Sequence, residues 1–254
     1  MTSKFRPSLD KSICAPVAPS PLQIPANAEK ISILPLSDLH LPSSMEAARA
    51  IIQNRNYLRR MDYIQLLGDM CACYGTQREY SHLAQFVKQL EVPYGAINGN
   101  HEIYFSGCDE DDARFGRVWP EAPPHEKHRK LQRFLDFFGY NKPWRASHSH
   151  LGSFFFLGLD DCENHKPESL SAAQQKFLET ELRVRPDVPA FVFCHVPLMF
   201  DERLDMTYYD ETRTACFEPQ TSTREALQNR AAPVFWMSGH IHLRPDHYLF
   251  NAYT

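Results

Sequence analysis

The sequence predicts an α/β fold with parallel strands, on two observations. Six short apolar runs, at 31–36, 63–67, 92–97, 153–159, 190–194 and 234–237, have the length and composition of buried strands. Several of the segments between them open with Ser/Thr-x-x-Glu/Gln, a pair that satisfies two orphan amides at a helix start: Ser43 with Glu46, Thr76 with Glu79, Ser171 with Gln174 and Ser222 with Glu225. Strand and helix in alternation build βαβ units, whose strands are parallel.

Taken in order, residues 1–30 carry five prolines (Pro7, Pro16, Pro19, Pro21, Pro25) and no period, so they are expected to form a loosely ordered arm. Residues 31–254 read as a single domain. Pro35 falls inside the first run, where it removes a ladder donor, so that strand is expected at a sheet edge or with a bulge. Residues 103–150 read as an insertion or cap: an acidic stretch (Asp109, Glu110, Asp111, Asp112), a Pro-containing stretch from Trp119 to Pro124, and a helix around 131–138. The helix opening at Ser171 is expected to bury Ala173, Phe177, Leu178 and Leu182 as one stripe.

Composition narrows the class. The chain has 254 residues, 43% hydrophobic and 23% charged, which is globular and excludes disorder. With 31 acids against 27 bases the net charge is −4, which argues against nucleic acid held by bulk electrostatics. The longest apolar run, 154–159, is six residues, too short to span a membrane. The N-terminus has no apolar core of the secretory kind, and the seven cysteines are scattered without a paired framework. A cytoplasmic protein with reduced thiols is the expectation.

Five short segments follow apolar runs and carry metal-ligand side chains: Asp38-Leu39-His40, Gly68-Asp69, Gly99-Asn100-His101-Glu102, Cys194-His195 and Gly239-His240-Ile241-His242. In a parallel sheet all such strand ends lie on one edge, where ligands bind. Asp38, Asp69 and Asn100 recur at intervals of 31 residues, the length of one βαβ unit. Singly each pair is weak; together, five of the chain's twelve histidines converge on one edge.

In these motifs the chain resembles the calcineurin-like metallophosphoesterase family, whose pattern is Asp-x-His, Gly-Asp-x-x-Asp, Gly-Asn-His-Asp/Glu, His and Gly-His-x-His. The resemblance covers most of residues 31–242 and implies a four-layer α/β/β/α sandwich with two divalent metal ions, Mn²⁺, Fe²⁺ or Zn²⁺. By the family's pattern, Asp38, His40, Asp69 and His242 would hold the first ion, and Asp69, Asn100, His195 and His240 the second, with Asp69 bridging. Mixed carboxylate and imidazole donors suit such borderline ions. Two ions share a water, lower its pKa and let the bridging hydroxide attack phosphorus. The family uses the position of His101 to protonate the leaving oxygen. Ala72 stands where the family often has the Asp that orients this histidine, which leaves open what orients it here. Glu102 is expected to be structural.

The resemblance therefore implies a metal-dependent phosphohydrolase, and most specifically a phosphodiesterase acting on a small nucleotide or similar phosphoester. The Asp-Arg-Gly of phosphoprotein phosphatases is absent, and the broad group remaining includes the class III cyclic nucleotide phosphodiesterases. Alternatives are a phosphomonoesterase or protein phosphatase and, in another class, a non-catalytic binding scaffold. Cys71, Cys73 and Cys194, beside the candidate ligands, are expected to be buried thiols rather than ligands. Arg203, Tyr208, Tyr209 and Arg213 lie in a loop leaving the same edge. Only twelve residues follow His242, so Asp246 to Tyr253 are expected to supply one strand. The sheet edge is then left to a second subunit of a homo-oligomer or to the N-terminal arm, unless the chain is truncated.

Overall fold

A computed structural model describes residues 18–107, 120–199 and 216–242. The first sheet contains β1 (Ile33–Leu36), β2 (Tyr63–Leu66) and β3 (Tyr94–Ala96), in that order and all parallel. Helices α1 (Met45–Gln53) and α2 (Arg55–Leu58) join β1 to β2, α3 (Gln77–Val87) joins β2 to β3, and the short α4 (Asn100–Ile103) follows β3. After α5 (Pro124–Phe138) comes the second sheet, ordered β4 (Trp144–Ser149), β5 (Gly152–Leu157), β6 (Ala190–Cys194) and β7 (Val234–Met237). Helix α6 (Ala172–Val184) joins β5 to β6, and α7 (Thr221–Gln228) precedes β7. Strands β5, β6 and β7 are parallel; β4 runs antiparallel to β5.

Three apolar clusters separate four layers. One packs α1, α3 and α5 on the first sheet through Ile52, Leu83, Phe134, Ile64 and Leu66. A second packs α6 and α7 on the second sheet through Leu178, Leu182, Leu227, Phe155 and Val192. The third lies between the sheets: Tyr63, Leu67, Ile97, Phe154, Phe156 and Phe193. The period of two along β5 makes this division, with Phe154 and Phe156 facing one way and Phe155 and Leu157 the other. Phe156 stacks on Phe193 at 5.2 Å across β5 and β6. Burying each such ring is worth about 2–3 kcal/mol. The fold is the α/β/β/α sandwich.

Pro35 lies on the edge strand β1, where the missing N–H breaks no ladder. Strand β4, an alternating half-buried stretch, was not among the expected strands. Part of the N-terminal arm contacts the sandwich. Leu22 is buried in the layer between the sheets, Ser20 N–H donates to Tyr94 O (3.0 Å), and Tyr63 Oη donates to Ser20 O (2.9 Å).

Within the stretch expected as an insertion or cap, the described α5 packs on the first sheet and β4 belongs to the second. Two buried lysines anchor α5. Lys127 Nζ donates to Glu121 (2.6 Å) and to the Asn164 carbonyl (2.7 Å), and Lys130 Nζ donates to the Phe105 carbonyl.

Helix starts differ from expectation where the hydroxyl has another partner. Thr76 and Glu79 form the expected capping box, and Ser171 accepts from Gln174 N–H. Helix α1 begins after Ser44 rather than Ser43, and the Ser44 hydroxyl turns back to the Leu39 carbonyl. Helix α7 begins after Gln220, because Ser222 and Thr223 donate to Glu179 of α6. On α6, Leu178 and Leu182 are buried and Phe177 packs partly, but Ala173 is exposed and Gln174, Gln175 and Glu179 are buried in its stead. Gln174 donates to Gly158 O, and Gln175 accepts from Gln220 N–H. Strand β7 is the edge of the second sheet among the described residues, with Phe235 49% exposed. No described helix is long and apolar enough to cross a membrane. Residues 1–17, the acidic stretch at 109–112, the loop with Arg203, Tyr208, Tyr209 and Arg213, and the strand expected over Asp246 to Tyr253 lie outside the described residues.

Candidate metal centre

The loops leaving β1 and β2 continue side by side beyond the sheet. Asp38 N–H donates to Gly68 O (3.1 Å), His40 N–H to Asp69 O (2.9 Å) and Leu41 N–H to Met70 O (2.8 Å). From the second sheet, Gly239 N–H donates to His195 O (2.9 Å), and His240 N–H donates to the Asp38 carboxylate (3.1 Å). Glycine at two positions follows from the crowding. A Cβ on Gly99 would run into the Asp69 carboxylate. Gly68, at φ +94°, would place one 2.8 Å from His195 Nδ1. The backbone is also bent locally. Among the described residues the non-glycine positions with left-handed φ are Asp38 (57°), His40 (42°), Asp69 (49°), His240 (72°) and His242 (48°), all candidate ligands. Each such conformation costs on the order of 1 kcal/mol and persists where surrounding structure imposes it.

The expected donors meet. Asp38, His40 and His242 form one group, and Asp69, His195 and His240 another, with ligand atoms within 4.8 Å of one another in each. A third grouping, His40, Asp69 and His101, contains the histidine expected to serve as proton donor. Asn100 Oδ1 lies 3.0 Å from His195 Nε2.

Hydrogen-bond chemistry tests whether these groups fit a cation. His195 Nδ1 lies 2.8 Å from the Leu67 carbonyl, which can only accept, so Nδ1 carries a proton. In the neutral ring Nε2 is then a lone pair, yet it faces Asp69 Oδ2 at 3.2 Å and Asn100 Oδ1 at 3.0 Å, two further acceptors. His40 repeats the pattern. Its Nδ1 faces the Ala72 carbonyl (3.3 Å), and its Nε2 meets His242 Nε2 (3.1 Å) and Asp38 Oδ1 (3.8 Å). Converging lone pairs need a positive charge between them. A proton or a borderline divalent ion supplies it, and the mixed oxygen and nitrogen donors fit the ion.

The charges respond accordingly. Burial opposes ionisation of Asp69, but the imidazoles of His195 and His101 hold its carboxyl well below the usual range. Burial would lower His195, yet the Asp69 carboxylate outweighs it and pushes the imidazole up to about 9. Asp38 is lowered against its burial by the hydrogen bond from His242, which is itself raised by that bond. His101 goes the other way: burial brings it down to about 4, in spite of Asp69.

Three further groups shape the site. The His101 ring is buried with Nε2 3.8 Å from Asp69 Oδ2, and Phe105 packs edge-on against it at 5.2 Å. Glu102 is fully buried and accepts from the N–H groups of Asp69 (2.9 Å), Cys71 (2.7 Å) and Gly99 (2.6 Å), tying the β2 and β3 loops together. Burial and the nearby Asp69 charge push its carboxyl up to about 7. Glu168, in the loop after β5, places Oε1 3.4 Å from His240 Nε2; no motif in the sequence marks it.

Cys71, Cys73 and Cys194 are buried, burial raises their thiols, and no cysteine joins a donor group among the described residues. His148 and His150 lie at the far end of the second sheet, bonded to Glu181 and to the Ala28 carbonyl.

Comparison with known proteins places the chain in a family. No curated protein matches. A solved structure similar to this chain, TT1561 of Thermus thermophilus, is 15% identical with a TM-score of 0.39, over 68% of this chain and 71% of that one. The Calcineurin-like phosphoesterase (Metallophos) family profile matches residues 31–244, nearly the whole sandwich and every candidate ligand. The chain therefore belongs to the calcineurin-like phosphoesterase family, and membership implies metal-dependent hydrolysis of phosphoesters.

Proposed function

We propose that the chain is a phosphodiesterase acting on a small nucleotide or a similar phosphoester. The observation that carries this reading is the double set of converging lone pairs around Asp69 and Asp38. Asp38, His40, Asp69 and His242 would hold one divalent ion, and Asp69, Asn100, His195 and His240 the other. When bound, such a pair supplies an activated water and neutralises charge on the phosphoryl oxygens. Asn100 contributes a neutral oxygen, which limits negative charge at the centre. Leu67 and Ala72 fix the tautomers of His195 and His40 through their carbonyls. His101, buried beside Asp69, delivers the proton to the leaving oxygen, and a phosphate anion opposite it raises its proton affinity from the low resting value.

Glu168 favours a diester. A carboxylate 3.4 Å from His240 opposes a dianionic monoester more strongly than a monoanionic diester. The described cysteines are all free thiols, which supports a reducing, cytoplasmic setting. The test is hydrolysis of bis-p-nitrophenyl phosphate beside p-nitrophenyl phosphate, by metal-stripped protein with Mn²⁺ restored. Metal-dependent turnover favouring the diester is expected; preference for the monoester overturns the diesterase reading.

A further inference from the structure

The loops leaving β5 and β6 emerge at the same sheet edge as the candidate ligands, and a cleft of about 520 Å³ lies between them. That volume lies in the range of small-molecule sites. One wall is the loop after β5 with the start of α6, and the other is the stretch 216–220. This second wall is fixed in place. Met199 N–H donates to Phe217 O (2.9 Å), Phe217 N–H to Pro197 O (2.7 Å), and Gln220 N–H to Gln175 Oε1 (2.9 Å). Glu168 belongs to both places: it lines the cleft and touches His240. A phosphoester held at the metal centre therefore has this cleft beside it to receive one of its two alcohol groups.

The lining states what that alcohol is. Asp161, Glu168 and Glu218 are set against a single cation, Lys166, and Asn164, Ser169, Gln175 and Gln220 add neutral polar groups. A surplus of carboxylates repels a second phosphate. The same carboxylates accept strongly from hydroxyl groups; neither Asp161 nor Glu218 forms an ion pair among the described residues, and Asp161 accepts from Asn164 Nδ2 (3.3 Å). Phe217 is buried and offers no ring face for stacking.

We propose that this cleft is the subsite for a neutral, hydroxyl-rich alcohol, a sugar or polyol, and that it selects phosphodiesters of such alcohols over those of simple alkyl alcohols or further phosphates. This rests on the diesterase reading above.

The experiment compares p-nitrophenyl phosphodiesters whose second alcohol is methanol or glycerol, on the full chain with Mn²⁺. The glycerol ester is expected to have the higher kcat/KM by about tenfold, the worth of one hydrogen bond to a charged group, expressed in KM. In Asp161→Ala and Glu218→Ala that ratio falls toward one, while the methyl ester is hydrolysed as by the wild type, which also shows that the variants fold. Methyl-ester turnover with no preference for glycerol, or a preference that both variants retain, overturns the subsite and leaves the diesterase reading intact. Absence of turnover with both esters removes the diesterase reading and the subsite together.

Discussion

His195 presents Nε2 to the Asp69 carboxylate at 3.2 Å while its Nδ1 is held by the Leu67 carbonyl at 2.8 Å. The ring is thereby set to take either a proton or a cation at Nε2. Proton and metal compete for one position, with Asp69 common to both proposed ions. Asp69→Asn removes the negative charge that draws either one in. A loss of at least about 10²-fold in kcat is expected, with weaker metal retention measured after dialysis. Near-normal turnover in this variant would sink the two-ion reading.

The same pair makes the metal-free protein sensitive to alkali. The His195 imidazole titrates near 6.5 when unfolded and is raised to about 9 in the folded chain. A raised folded value contributes stability that is complete below pH 6.5 and is lost as pH climbs through 9. Thermal melts of chelator-treated protein should therefore show Tm falling over that window. Added Mn²⁺ should offset the fall, since the ion binds more tightly as the competing proton leaves. A Tm of the metal-free form that holds level from pH 6.5 to 9 contradicts the assignment.

His101→Ala tests proton delivery. Diesters with an alkyl leaving group should slow by on the order of 10²-fold, and those with p-nitrophenolate, which leaves unaided, by much less. Equal losses across a leaving-group series would place His101 in phosphate contact instead.

Glu102 is a clamp rather than a reagent. Its carboxylate satisfies three buried N–H groups, so Glu102→Ala should cost on the order of 3 kcal/mol and lower Tm by roughly 6–12 °C. Metal content should fall with it, because two of the three amides belong to Asp69 and Gly99. Calorimetry and metal analysis on one preparation check both.

Gly99→Ala separates geometry from stability. The added methyl meets the Asp69 carboxylate directly. Activity and metal retention should drop well beyond what the change in Tm accounts for.

The five ligand-bearing loops were legible because each follows a short apolar run, and strand ends of parallel sheets share an edge. Strands β6 and β7 were read to the residue, as buried apolar runs with abrupt ends. Strand β4 was not, since Arg145, Ser147 and His148 give it the look of a surface loop. The stripe of α6 was right at Leu178 and Leu182 but missed at Ala173, because Gln174, Gln175 and Glu179 are buried by hydrogen bonds to distant backbone and hydroxyl groups, which no local pattern records. Glu168 and the Ala72 carbonyl were invisible for a related reason. One is an ordinary loop residue brought in by topology, and the other is a main-chain atom that any side chain would have carried.

The candidate donors come from both sheets: Asp38, His40, Asp69 and Asn100 from one, His195, His240 and His242 from the other. Their spacing is thus set by how the two sheets slide over the layer of Phe154, Phe156 and Phe193. A small shear there, from a cavity made at Phe156 for example, would change the distance between two bound ions without touching a ligand. The aromatic packing at the centre of the sandwich acts as the gauge block of the reaction site, and its stiffness sets the tolerance to which the chemistry is held.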